Sequence, residues 1–359
     1  MQFLPLLTLN PCRRSFTRTV GLWFFFSSRQ SLYLLTGKFK KTIAAGAWLT
    51  LAAMPGISSA MGLMVDVAPS GCSAVTPPLS RAEPAPLAAA QRLTGSQVAR
   101  GQRDIAWAWL GSQTSRYPHT ALGSRFHGGS LHVLLANSGS NGREPIEVTY
   151  RLPFHRVFED LLVRLVDLDE DGRDEIVVIE ADALRGASVV VYHLRGAGDA
   201  RTLVEAARSP AAGSTFRWLN IVGFADFDAD GKRDIAAVMT PHIGGELTLY
   251  HYRPPLLVPY AKAMDTSNHL MGASEQQLAV VIELPGLRPT VIVPNMTLKA
   301  LHALRWEGSS QTGKFRELAD VMALPARIER VTPLAGAVRG ACVLLADGTW
   351  RRVTLTEKP

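Results

Sequence analysis

The sequence has few of the local signatures that mark an enzyme or a nucleic-acid binder. Its nine histidines are scattered, with none of the His-x-Glu or His-Glu-x-x-His spacings that bring imidazoles to one zinc ion. It has no Gly-x-Ser-x-Gly elbow, no Walker loop and no dinucleotide fingerprint. Acidic residues are absent from positions 1–60, which hold seven bases: Arg13, Arg14, Arg18, Arg29, Lys38, Lys40 and Lys41. Removing these seven from the 38 Lys+Arg leaves 31, equal to the 31 Asp+Glu. The net charge of +7 therefore belongs to the leader, and no basic stripe with interleaved aromatics follows it. Nucleic acid is excluded as a partner.

Long apolar runs are missing too. Thr42 to Met54 is apolar but too short to span a bilayer comfortably. It follows the bases Lys38, Lys40 and Lys41, ends at Pro55-Gly56, and precedes the small-x-small triplet Ser58-Ser59-Ala60. That is the layout of an export signal, with its core at 38–60 in a presequence of 1–60. Cleavage after Ala60 leaves no stable membrane span and places the mature chain in the periplasm or outside the cell. Of three cysteines, Cys12, Cys72 and Cys342, two then remain, an even number that an oxidising compartment allows to pair. Residues 61–98 are rich in Ala, Pro and Ser and read as a linker.

What is present is an acidic loop, twice. Asp167-Leu168-Asp169-Glu170-Asp171-Gly172-Arg173-Asp174-Glu175 recurs as Asp226-Phe227-Asp228-Ala229-Asp230-Gly231-Lys232-Arg233-Asp234, a period of 59 residues. Carboxylates at loop positions 1, 3, 5 and 9 suit Ca²⁺, which takes six or more oxygens on a flexible loop. Glycine at position 6 permits the sharp turn. The first site is expected from Asp167, Asp169, Asp171 and Glu175 with the carbonyl of Arg173. Asp174 competes with its neighbour for that place. The second is expected from Asp226, Asp228, Asp230 and Asp234 with the carbonyl of Lys232. No glutamate stands at position 12, where Val178 and Ala237 begin apolar runs that read as buried strands.

A short apolar strand, an Asp-rich loop, a buried strand and a further strand ending in aromatics together resemble the FG-GAP, or VCBS-type, repeat of integrin-like β-propellers. The likeness is sharp over 160–252. It implies an all-β, propeller-like array of four-stranded blades with interaction surfaces for a protein or carbohydrate ligand. Weaker copies flank it. Ile105, Ile176, Ile235, Ile292 and Val343 are the apolar centres of about five units, spaced 71, 59, 57 and 51 residues apart over 99–359. If the sheet closes, the segment 341–355 pairs with strands near 104–110, and losing 341–359 then costs more stability than losing 61–98.

Arg116, His119, His127, Arg217, Trp218 and His242 are candidate ligand-binding residues, since Trp and Arg join large contact area to a polar tip. Glu159-Asp160 reads as a solvated turn before a strand. The function expected is an exported, calcium-binding protein with a binding or scaffolding role. The alternative is a secreted glycan-acting hydrolase or lyase, which would need acids and histidines converging in one cavity.

Overall fold

The computed structural model describes residues 61–67, 72, 89, 91–136, 145–334 and 340–357. The chain divides into two compact units, Met1–Gly56 and Ile57–Pro359, and every described residue lies in the second. The presequence expected at 1–60 lies outside the described residues. No helix among the described residues is long and apolar enough to cross a membrane.

The architecture is all-β, with a curled sheet. Strand β1 (Met61–Val67) is followed by a first antiparallel unit of β2 (Ala99–Arg100), β3 (Ile105–Gly111), β4 (Ser130–Leu135) and β5 (Glu147–Arg151). The second unit holds β6 (Arg156–Phe158), β7 (Arg164–Val166), β8 (Glu175–Asp182), β9 (Gly186–Arg195) and β10 (Thr202–Arg208). β6 and β7 pair with opposite ends of β8, as one first strand interrupted at 159–163. The third unit is β11 (Leu219–Ala225), β12 (Asp234–Met239), β13 (Glu246–Arg253) and β14 (Leu256–Ala263). A single parallel pairing, Arg208 with Leu256, joins the second and third units into one nine-stranded sheet. The fourth unit is β15 (Val280–Leu284), β16 (Leu287–Pro294), β17 (Ala300–Gly308), β18 (Gly313–Glu317) and β19 (Met322–Ala323). The last is β20 (Ile328–Pro333), β21 (Gly340–Leu345) and β22 (Trp350–Glu357).

The second strand of each unit is its buried centre. Ile105, Ile176, Ile235, Ile292 and Val343 fall on β3, β8, β12, β16 and β21, and none is exposed to solvent. β8, Glu-Ile-Val-Val-Ile-Glu-Ala-Asp, is buried at all eight positions. A strand covered on both faces reads as a continuous apolar run, here with acids only toward its ends.

The last unit corrects two expectations. β22 pairs along its length with β1, from Met61 opposite Glu357 to Val67 opposite Arg351. Residues 61–67, expected in a linker, are thus the fourth strand of the last sheet, ordered β1-β22-β21-β20. The strand near 104–110 is instead β3, which pairs with β2 and β4, while β22 pairs with β21 and β1. Cys72 and Cys342 form a disulfide across 270 residues of sequence.

Glu159 and Asp160 are the third correction. Both have zero exposure, because the gap between β6 and β7 turns inward. Asp160 accepts hydrogen bonds from the amides of Leu162 and Ile179, from Arg164 and from Gln276.

Candidate functional site

Strand alternation sorts the loops into two ends. Loops after first and third strands lie at one end, and loops after second and fourth strands lie at the other. The two acidic loops follow β7 and β11 and share the first end.

The two acidic loops have nearly the same backbone. Position 4 is left-handed in both, with φ of 63° at Glu170 and 59° at Ala229, and so is position 6, with 85° at Gly172 and 84° at Gly231. Asp167 Oδ2 accepts from Gly172 N at 3.0 Å, and Asp226 Oδ2 accepts from Gly231 N at 3.0 Å. Asp171 Oδ1 accepts from Arg173 N at 2.8 Å, and Asp230 Oδ1 accepts from Lys232 N at 2.9 Å. The aspartates that would face a cation are therefore held in place by the loop's own amides.

The surroundings differ. In the first loop Asp167, Asp169 and Glu175 bring ligand oxygens within 4.8 Å of one another. Asp167 Oδ1 is buried without a hydrogen-bond partner, an orphaned acceptor that a cation would satisfy. Between the two competing acids the geometry favours Glu175, because Asp174 is held by Arg103 at 2.7 Å. Burial, and then the charges of Asp169, Asp171 and Asp167, push the Glu175 carboxyl up to about 8. The Arg173 side chain is exposed, as is that of Lys232. In the second loop Asp226, Asp228 and Asp230 cluster, and Asp230 meets Arg253 at 2.8 Å. Asp234 is drawn aside, accepting from Tyr260 Oη at 2.7 Å and lying 2.8 Å from His251 Nδ1. Burial pushes Asp234 up to about 6.

The other end gathers most of the ligand-binding candidates. His119 lies 2.6 Å from buried Glu159, stacks on Phe216, and accepts from His127 at its carbonyl. Trp218 donates to the Glu159 carbonyl and stacks on His242. His242 Nε2 lies 2.9 Å from His269 Nδ1, and His269 Nε2 lies 3.0 Å from the Ala273 carbonyl. That carbonyl only accepts, so His269 carries its proton on Nε2, His242 donates from Nε2, and His242 Nδ1 is left bare. Burial holds His242 near 4 and His269 near 3, so both rings are neutral at pH 7. Arg116 donates to the carbonyls of Pro153 and Arg156 and lies over Phe154. Arg217 takes part through its backbone, donating to Ser214 and accepting from Ala187.

Sequence reasoning placed Phe216 beside Arg217 and Trp218, but read Glu159 as a solvated turn and missed His269. It also missed a repeat: Tyr192-His193-Leu194-Arg195 on β9 and Tyr250-His251-Tyr252-Arg253 on β13 hold equal register, opposite Ile176 and Ile235. The signal was the same tetrad recurring 58 residues later.

A family model described as an FG-GAP-like repeat matches residues 167–237, which spans both acidic loops and the strands that follow them. No curated protein matches the chain. With the acidic loops, their shared backbone and this match in agreement, the chain is an FG-GAP repeat-containing protein.

Proposed function

We propose that this is an exported, calcium-binding β-propeller of five blades that binds a macromolecular partner at its histidine end. The observation that carries the binding role is the distribution of exposed apolar side chains. Phe126, Phe154, Leu184, Phe216, Ile243, Met264 and Met271 all lie in loops of that end, with Phe154 82% and Leu184 80% exposed. Large exposed apolar side chains gathered on one face mark an interaction surface. Phe216 joins that surface to the His119–Glu159 pair.

Five blades are supported by the centre of the molecule. A cavity of about 720 Å³ is lined by Gln97, Leu161, Val222, Gln276 and Val331 among others, residues in or beside the first strand of every unit. Export is supported by the Cys72–Cys342 disulfide, since such bonds persist in oxidising compartments. Calcium is supported at the first loop by the orphaned oxygen of Asp167.

The binding face is tested with a photo-crosslinking residue placed at Phe154 or, as a control, at Leu256, an exposed position on strand β14. Crosslinked partner is expected from position 154 in the native host and none from 256. Equal yields, or none from either, refute the assignment of the face. Calcium is tested by melting. Saturation at 100 times Kd stabilises by about 2.7 kcal/mol, and so by roughly 4 °C in a chain of this size. Asp167→Asn should abolish most of that shift, and a melting temperature indifferent to chelator would exclude a calcium site.

A further inference from the structure

Matched loops would ordinarily take matched ions, yet the second loop has a nitrogen donor aimed into it. His251, on the end of β13, is buried, and its Nδ1 lies 2.8 Å from Asp234 Oδ1. The opposite nitrogen, Nε2, faces Asp228 Oδ2 at 3.7 Å, too long for a hydrogen bond. An ion about 2.1 Å from each atom spans that gap at an opened tetrahedral angle. Asp228, Asp234 and His251 are all buried, with ligand atoms within 4.8 Å of one another.

The outer partners are those of a metal-binding imidazole. Such a histidine gives its other N–H to a carboxylate, which fixes the tautomer and turns the lone pair toward the ion. Here that carboxylate is Asp234, anchored on its far side by Tyr260 Oη at 2.7 Å, and the Tyr260 ring stacks on His251 with centroids 4.1 Å apart. Tyr260 occupies the β-bulge of β14, where pairing jumps from Ala261 to Pro259. The same bulge in β10 skips Ala206, which has no hydroxyl. The corresponding His193 lines the cleft beside Asp169, Asp171 and Glu175 and makes no ion pair with them. The close-set ligand atoms of the first loop are therefore all oxygens, whereas those of the second include a nitrogen.

We propose that the second loop is a mixed-donor site for a divalent transition ion of the zinc class. Asp228 and His251 Nε2 hold the ion, Asp226 and Asp230 complete the shell, and Asp234 acts as a positioning residue. Imidazole suits zinc-class ions, whereas calcium prefers an all-oxygen shell. This rests on reading the acidic loops as cation sites.

The test is calorimetric titration of the full mature chain with Zn²⁺ and with Ca²⁺. Wild type is expected to take one Zn²⁺ that excess Ca²⁺ does not displace. His251→Gln should lose it while keeping Ca²⁺ at the first loop, which also reports that the variant is folded. Tyr260→Phe should weaken Zn²⁺ by about 10–100-fold. Undiminished Zn²⁺ uptake by His251→Gln, or two equal Ca²⁺ ions per wild-type chain, overturns the proposal. A chain that binds Zn²⁺ through His251 but no Ca²⁺ upholds it and refutes only the calcium assignment of the first loop.

Discussion

Reducing the Cys72–Cys342 bond should lower the stability of the mature protein by about 5 kcal/mol. The magnitude follows from the 270 residues the bond encloses, since the entropy removed from the unfolded chain grows with the logarithm of loop length. Both sulfurs are buried, so solvent reaches the bond only after local opening. Cys342 stands on β21, paired with Arg352 of β22, and β22 in turn holds β1. The disulfide therefore fastens the segment just after β1 to the sheet that β1 completes. Urea denaturation with and without reductant measures the effect, and the Cys72→Ser/Cys342→Ser double variant should match the reduced protein. Deleting 61–72 should cost at least as much, because it also exposes the edge of β22. A deletion that melts with the intact chain would show that the first strand contributes nothing to closure.

Asp160→Ala should cost about 3–5 kcal/mol, the usual loss when one partner of a buried ion pair is removed. Four donors converge on this carboxylate. Arg164 lies at 2.8 Å, the Ile179 amide at 2.9 Å, the Leu162 amide at 3.0 Å and Gln276 at 3.1 Å. Alanine would leave the buried Ile179 amide without its acceptor and Arg164 with only the Leu162 carbonyl in place of its carboxylate. Gln276 belongs to the loop before β15 and also accepts from the Leu161 amide at 3.0 Å, so the loss would extend from the second unit to the fourth. Asp160→Asn retains acceptor capacity and should cost markedly less. Chemical denaturation of the two variants side by side decides the matter, and equal small losses would mean that Asp160 is not the link between these units.

The difference between what was legible and what was not follows from the range of the interactions. Ile105, Ile176, Ile235, Ile292 and Val343 could be aligned by eye, because a fully covered strand writes its burial into its own residues. The acidic loops were equally plain, since most of their amide-to-carboxylate bonds reach only two to five residues along the chain. Asp160 was not legible, as a partner 116 residues away decides its burial. Nor was β1, whose partner is the last strand of the chain. The distinction between the two loops escaped because it depends on a bulge that places Tyr260 in one copy and Ala206 in the other. Apart from the Tyr-His-x-Arg tetrads they share, nothing in the loops themselves reveals it.

Pairing the first strand with the last also imposes a timetable on synthesis. The residues that become β1 emerge early, yet their partner is made only after some 280 further residues. Until then the unit at the far end has two strands, and the early segment has no sheet to join. Completion therefore waits for the final residues, and a chain released early would lack β22 and hold two unsatisfied edges, one on β21 and one on β1. A chain lacking β22 thus leaves backbone donors and acceptors exposed on both strands, and the pairing of β22 covers both edges in a single step.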